Sequence, residues 1–170
     1  MAKGIALLLQ GTTADLSATL YAVSLAARVA GKIHAGLFLP GKGGSTLRQG
    51  KELLALVVKL SQARAIPFEV HDLSAGGEPE LLGFLERCRI GCLVLGVSGR
   101  RDRQRKTEWV ERLRQAMTAK GRGKQTGFWT VLVDPWGREI ALTVLERLLE
   151  EQGGGGGKLL LEDVAPMLSS

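Results

Sequence analysis

Residues 92–109 read CLVLGVSGRRDRQRKTEW: an apolar run, then Gly96-Val97-Ser98-Gly99, then a dense series of positive charges. A short loop containing glycines lets backbone N–H groups come close to phosphate oxygens. Arg100, Arg101, Arg103 and Lys106 add cations, and a guanidinium grips phosphate through paired hydrogen bonds. Thr107 is placed to cap a following helix and to aim its first N–H groups at an anion. The chemistry on offer is phosphate binding, either of a nucleotide at the loop or of nucleic acid along the basic run.

The charge is local. From Arg100 to Lys124 ten basic and three acidic residues leave a net +7, whereas the whole chain carries +6. Such a patch would bind nucleic-acid phosphates in a salt-dependent way. It holds Trp109 as its single aromatic residue, and that indole belongs to the apolar stripe of a helix rather than to a stacking ladder. The residues therefore argue against nucleic acid as the partner.

Catalytic patterns are missing. No Ser-His-Asp order, metal-spaced carboxylate set or Walker-type lysine is present. Ser98 has no histidine near it in sequence, and Asp15 sits at a helix start, where it serves the dipole. Cys88 and Cys92, the two cysteines, are spaced Cys-x3-Cys with no second pair and no histidine beside them. That is a poor zinc pattern, and both read as reduced core thiols. His34 and His71 fall in separate strands, far apart and without clustered ligands, and read as packed strand residues. The expectation is a protein that is not an enzyme and has no metal.

The elements that must position the glycine loop follow from periodicity. Lys3–Leu9 is a short apolar strand, and Thr12 or Thr13 can cap the helix after it, which Gly31 ends. Ile33–Leu39 is a second strand, stopped by Pro40-Gly41 and followed by the turn GKGG. Ser45 opens a long helix bearing Leu47, Leu54, Val57, Val58 and Leu60. Pro67–Leu73 is a third strand, and a helix from Glu78-Pro79 carries Leu81, Leu82, Phe84, Leu85 and Cys88. Cys92–Gly96 is the fourth strand, and Trp109, Val110, Leu113, Ala116 and Met117 mark the next helix. Phe128–Val133 is the fifth.

Strands apolar on both faces, alternating with helices, predict an α/β fold: an open doubly wound parallel sheet of five strands with helices on both faces. A chain of 170 residues, 45% apolar and 24% charged, suits one such domain. No apolar run is long enough to span a membrane. Ile5–Leu9 is too short for the apolar region of a signal peptide, and no small-residue cleavage site follows it, so the expected location is the cytoplasm.

With the elements in this order, the stretch LLGFLERCRIGCLVLGVSGR, residues 81–100, resembles the universal stress protein family in its helix, fourth strand and Gly-x-x-Gly loop. The apolar first strand, small polar loop and Ala-rich helix are similar to that family's opening, and the resemblance covers residues 3 to about 133. It implies an adenine-nucleotide-binding-like sheet of order 3-2-1-4-5. Ligands of such sheets lie outside the carboxyl ends of the strands at the switch point, here between the first and fourth. Gln10, Gly11, Thr12 and Thr13 then stand beside Gly96, Ser98, Gly99 and Arg100 as the candidate nucleotide site.

The chain departs from that pattern twice. Nucleotide-binding members place an acidic residue at the end of strand one, where this chain has Gln10. They also carry, after nine further residues past the second glycine, Gly followed by Ser or Thr, where this chain has Trp109-Val110. The balance favours a degenerate site with no nucleotide. The alternatives are ATP or another adenine nucleotide held by an arginine-compensated loop, and a nucleic-acid-binding module using residues 100–124.

The resemblance implies a homodimer through strand 128–133, since similar proteins set their fifth strands antiparallel. The residues agree, because FWTVLV is an apolar edge with no charge or proline to guard it. Beyond the domain of residues 1–133, residues 134–152 form a helical extension. It opens with a type I turn at Asp134-Pro135-Trp136-Gly137 and bears a stripe of Ile140, Ala141, Val144, Leu145, Leu148 and Leu149. Residues 153–170 comprise a five-glycine linker and an apolar tail. The helix is expected to pack on its own domain, and residues 138–170 offer a place for a partner to dock.

Overall fold

The computed structural model describes residues 4–38, 45–73, 77–118, 128–150 and Val164. Strands β1 (Gly4–Leu9), β2 (Ile33–Leu37), β3 (Phe68–Asp72), β4 (Ile90–Gly96) and β5 (Trp129–Val133) alternate with helices α1 (Ala14–Val29), α2 (Ser45–Ala63), α3 (Gly77–Arg87) and α4 (Arg100–Met117). Helix α5 (Arg138–Glu150) follows the last strand. All pairings are parallel and the order is β3-β2-β1-β4-β5, as the resemblance implied.

The apolar character of each strand matches its depth. β1 and β2 are buried along their whole length because helices cover both faces. Ile5, Leu7, Leu9, Ile33, Ala35 and Leu37 face α1, α2 and α5. Ala6, Leu8, Leu93 and Leu95 face α3 and α4. β3 is an edge, and Glu69, Val70 and Asp72 are exposed on it. β5 is the other edge, where Trp129 is 81% exposed.

Helix α1 carries Ala14, Ala18, Ala22 and Ala26 as one buried row, and side chains this small let it sit close to the sheet. It ends through Ala30, which adopts the left-handed conformation at φ 52°, while Gly31 donates to the Ala26 carbonyl at 3.1 Å. The residue that turns the chain is thus Ala30 and not the expected Gly31. Residues 134–137 form no regular turn. Instead the Trp136 N–H donates to Ser17 Oγ at 2.8 Å, and α5 packs Ala141, Leu145, Leu148 and Leu149 into the core beside α1. Ile140, placed in that stripe by its spacing, is 57% exposed.

Val164 is buried in the same core. The rest of the apolar tail, the five-glycine linker and the GKGG turn lie outside the described residues. Among the described residues no helix is long and apolar enough to cross a membrane.

Candidate functional site

The β1–α1 loop and the β4–α4 loop emerge side by side at the carboxyl ends of neighbouring strands. The chain turns one way after β1 and the other way after β4, so a crevice opens between them. The end of β4 meets the start of α1 closely: a Cβ added at Gly96 would lie 2.6 Å from the Ala14 carbonyl oxygen. Gly96 is therefore needed for helix-to-strand packing, whatever binds above it.

Gln10, Gly11 and Thr12 point their backbone N–H groups inward, and Gly11 permits the turn at φ 75°. All three donate to a single oxygen, Asp15 Oδ2, at 2.9, 2.6 and 3.1 Å. This carboxylate is fully buried. Burial pushes its pKa up, against the pull of the three N–H groups and of the Lys106 charge. Thr13 stands at the N-cap without a side-chain capping bond, so the expected threonine cap is replaced by Asp15 reaching back from the first turn. The threonine hydroxyl loses because a carboxylate accepts several N–H bonds at once.

The second loop is closed in the same way. Asp102, in the first turn of α4, accepts from the Ser98 N–H at 2.9 Å and from Ser98 Oγ at 3.3 Å. Arg105 pairs with its other oxygen, and Lys106 Nζ lies 3.0 Å from Oδ2. Burial raises the Asp102 carboxyl, but the Ser98 N–H and the two cations outweigh it and hold it at about 2. Gly99 adopts φ 126°, a conformation open essentially to glycine alone. An open cavity of about 520 Å³ lies over this loop, lined by Ser98, Gly99, Arg100, Arg101, Asp102 and Arg105.

The structure thus gathers Gln10, Gly11, Thr12, Thr13, Gly96, Ser98, Gly99 and Arg100 around one crevice, with Arg100 exposed on the first turn of α4. Asp15, Asp102 and Lys106 decide its character; sequence reasoning left Asp15 to the helix dipole and Lys106 to a phosphate, and gave Asp102 no role. Lys106, read as a free cation for phosphate, is 6% exposed and donates to the Gly96 carbonyl at 2.7 Å. Thr107, read as a helix cap, lies inside α4 with its hydroxyl on the Arg103 carbonyl at 2.7 Å. A local signal was available for the acids: each lies three or four residues past a loop N–H that its side chain can reach.

Of the basic segment's described residues, Arg103 and Arg114 are also engaged internally, while Lys120, Arg122 and Lys124 lie outside the described residues. Arg103 pairs with Asp134 at 2.6 Å. Arg114 donates to the Phe128 carbonyl at 2.7 Å and to Thr130 Oγ1 at 3.0 Å, lying over the Phe128 ring. These contacts tie α4 to β5. Trp109 stacks on Phe38 and donates to Glu78 Oε1 at 3.0 Å, so its indole serves the fold.

No protein-family model matches the chain, and no curated protein sequence matches it. Solved structures do. A protein of the universal stress protein family from Burkholderia pseudomallei superposes with a TM-score of 0.51 at 12% identity, covering 79% of this chain and 96% of that one. A universal stress protein from Archaeoglobus fulgidus gives 0.50 at 14% identity, over 78% and 94% of the two chains. The likeness is one of fold: this chain has the five-stranded α/β architecture of universal stress proteins.

Proposed function

We propose that the chain is a universal-stress-protein-like, non-catalytic protein that works by dimerising and by binding a ligand or partner, with a degenerate nucleotide crevice. One observation carries this reading. The N–H groups that would receive phosphate or ribose are bonded to the protein's own carboxylates, Asp15 and Asp102. A bound nucleotide would have to displace those bonds and set its phosphates beside a carboxylate held ionised at about 2. Both penalties fall on the atoms that make a nucleotide recognisable.

The absence of catalysis is supported by placement. Ser98 follows the carboxyl end of β4, whereas His34 stands near the amino end of β2, at the other end of the sheet. A hydroxyl that far from an imidazole has no general base of that kind. Dimerisation is supported by β5, an edge strand whose Trp129 lies in solvent, while α5 packs beside α1.

A second reading rests on the cavity above Gly99. Arg100, Arg101 and Arg105 line it, and their charge is what an arginine-compensated phosphate site would use. Equilibrium dialysis of the purified chain against ATP and AMP, with native mass spectrometry for any co-purified nucleotide, separates the two. The degenerate crevice predicts no saturable binding. Saturable binding abolished by Gly99→Val would establish the arginine-compensated site instead.

A further inference from the structure

Away from the crevice, at the β3 edge of the sheet, His34 of β2, Glu69 and His71 of β3, and Cys88 just after α3 converge. The register of β2 on β3 pairs His34 with Glu69 and Gly36 with His71, so both imidazoles and the carboxylate fall on one face of the sheet. His34 and His71, separate strand residues in the sequence, lie with Nδ1 and Nε2 3.4 Å apart. Glu69 Oε2 stands 3.3 Å from the first nitrogen and 3.5 Å from the second. Cys88 Sγ completes the group, with all four ligand atoms within 4.8 Å of one another.

Those separations have a chemical meaning. Nitrogen and oxygen ligands 2.0–2.1 Å from a tetrahedral zinc ion are roughly 3.3–3.4 Å from each other. The three sides of the His34–His71–Glu69 triangle, 3.3, 3.4 and 3.5 Å, match that edge. A thiolate about 2.3 Å from the same ion would stand about 3.6 Å from its neighbours, so Cys88 must close in by up to about 1 Å.

We propose that His34, Glu69, His71 and Cys88 form a tetrahedral site for a divalent transition-metal ion of the zinc class, which clamps the edge strand β3 to the junction of α3 and β4.

The surroundings hold the ligands in place. Lys32 binds the second Glu69 oxygen at 2.9 Å and so turns Oε2 toward the histidines. Phe84 meets both rings edge-on, with centroids 6.3 Å from His34 and 4.7 Å from His71. Gly4 leaves room for the His34 ring, since a Cβ there would come within 2.9 Å of it. Burial pushes both imidazoles below their ordinary pKa, which favours the neutral form that coordinates. Burial also pushes the Cys88 thiol up, so binding would release its proton to water.

Two imidazoles and one sulfur exclude magnesium and calcium, which demand oxygen ligands. Four protein ligands leave no open position, which makes the site structural rather than catalytic. The Cys-x3-Cys spacing plays no part, because Cys92 lies on β4 outside this group.

The test titrates the reduced, chelator-stripped full chain with Co²⁺ and then with Zn²⁺. One Co²⁺ per chain is expected, with visible bands of tetrahedral intensity and a near-ultraviolet thiolate charge-transfer band. Zn²⁺ should bleach both and raise the thermal midpoint. Cys88→Ser should remove the charge-transfer band while Cys92→Ser keeps it. His71→Ala should weaken Co²⁺ binding at least about tenfold. Glu69→Gln, at a half-exposed residue, should weaken it in a chain that still folds even if His71→Ala does not. Absence of stoichiometric binding, weak octahedral bands, or affinity unchanged by Cys88→Ser and Glu69→Gln would each overturn the site. In those cases the cluster is a hydrogen-bonded brace of the β3 edge.

Discussion

Lys106 reaches from the second turn of α4 to the carbonyl of Gly96 at the end of β4, 2.7 Å away and largely buried. The same ammonium lies 3.0 Å from Asp102, and its charge also acts on Asp15. One lysine therefore pairs with Asp102 and lends Asp15 a minor favourable charge, weaker than the pull of the Gln10, Gly11 and Thr12 N–H groups. A buried cation is costly unless it is paired and hydrogen-bonded, and here it has both kinds of partner.

Acid should loosen this arrangement. Asp102 has its pKa held at about 2 in the folded chain against an ordinary value of 3.8, so it contributes stability above the ordinary value. That contribution is lost as pH falls from about 4 through about 2. Asp102→Asn should flatten the acid limb of a stability–pH curve measured by urea unfolding. An acid limb of unchanged slope would show that the carboxylate is not held as described.

Gly96→Ala should destabilise the chain with no ligand present. Its methyl group would press on the Ala14 backbone at 2.6 Å, and overpacking of this kind costs about 1–3 kcal/mol. Urea unfolding measures it. An unchanged midpoint would mean that the close approach of α1 to β4 is not real.

Ala30→Gly should stabilise. Ala30 is exposed and sits at φ 52°, where a side chain costs roughly 1–2 kcal/mol. The greater freedom of glycine in the unfolded chain returns part of that gain, leaving about 0.5–1 kcal/mol. A rise of about 1–4 °C in the thermal midpoint is expected. A fall would show that helix α1 ends differently.

Trp129→Lys should test the proposed assembly without disturbing the fold, since the indole is 81% exposed. A charge on an edge strand discourages pairing with another chain. Sedimentation equilibrium should show a wild-type dimer and a variant at least about tenfold weaker, roughly 1.4 kcal/mol of association energy. A wild-type monomer at high micromolar concentration would remove the β5 dimer from consideration. A dimer indifferent to the substitution would move the contact elsewhere, with α5 the next surface to examine.

The alternation of apolar strands with amphipathic helices was enough to settle the α/β class, because burial on both faces leaves a continuous apolar run that a half-exposed strand does not show. The same patterns located the glycine loop at the end of β4 and put Leu81, Leu82, Phe84 and Leu85 on the buried face of α3. Strand order came from resemblance rather than from periodicity, and hydrogen-bonded pairing carries it in the structure. What stayed hidden was the destination of each charge. Lys106 looks like any other member of a basic run, and its burial depends on how closely α4 approaches the end of β4. His34 and His71 are 37 residues apart, and they meet only because the β2–β3 register places them on one face and α3 returns the chain at Cys88. Periodicity is a property of one element, readable from its own residues. Register and helix approach are properties of two, and the tertiary structure alone brings them together.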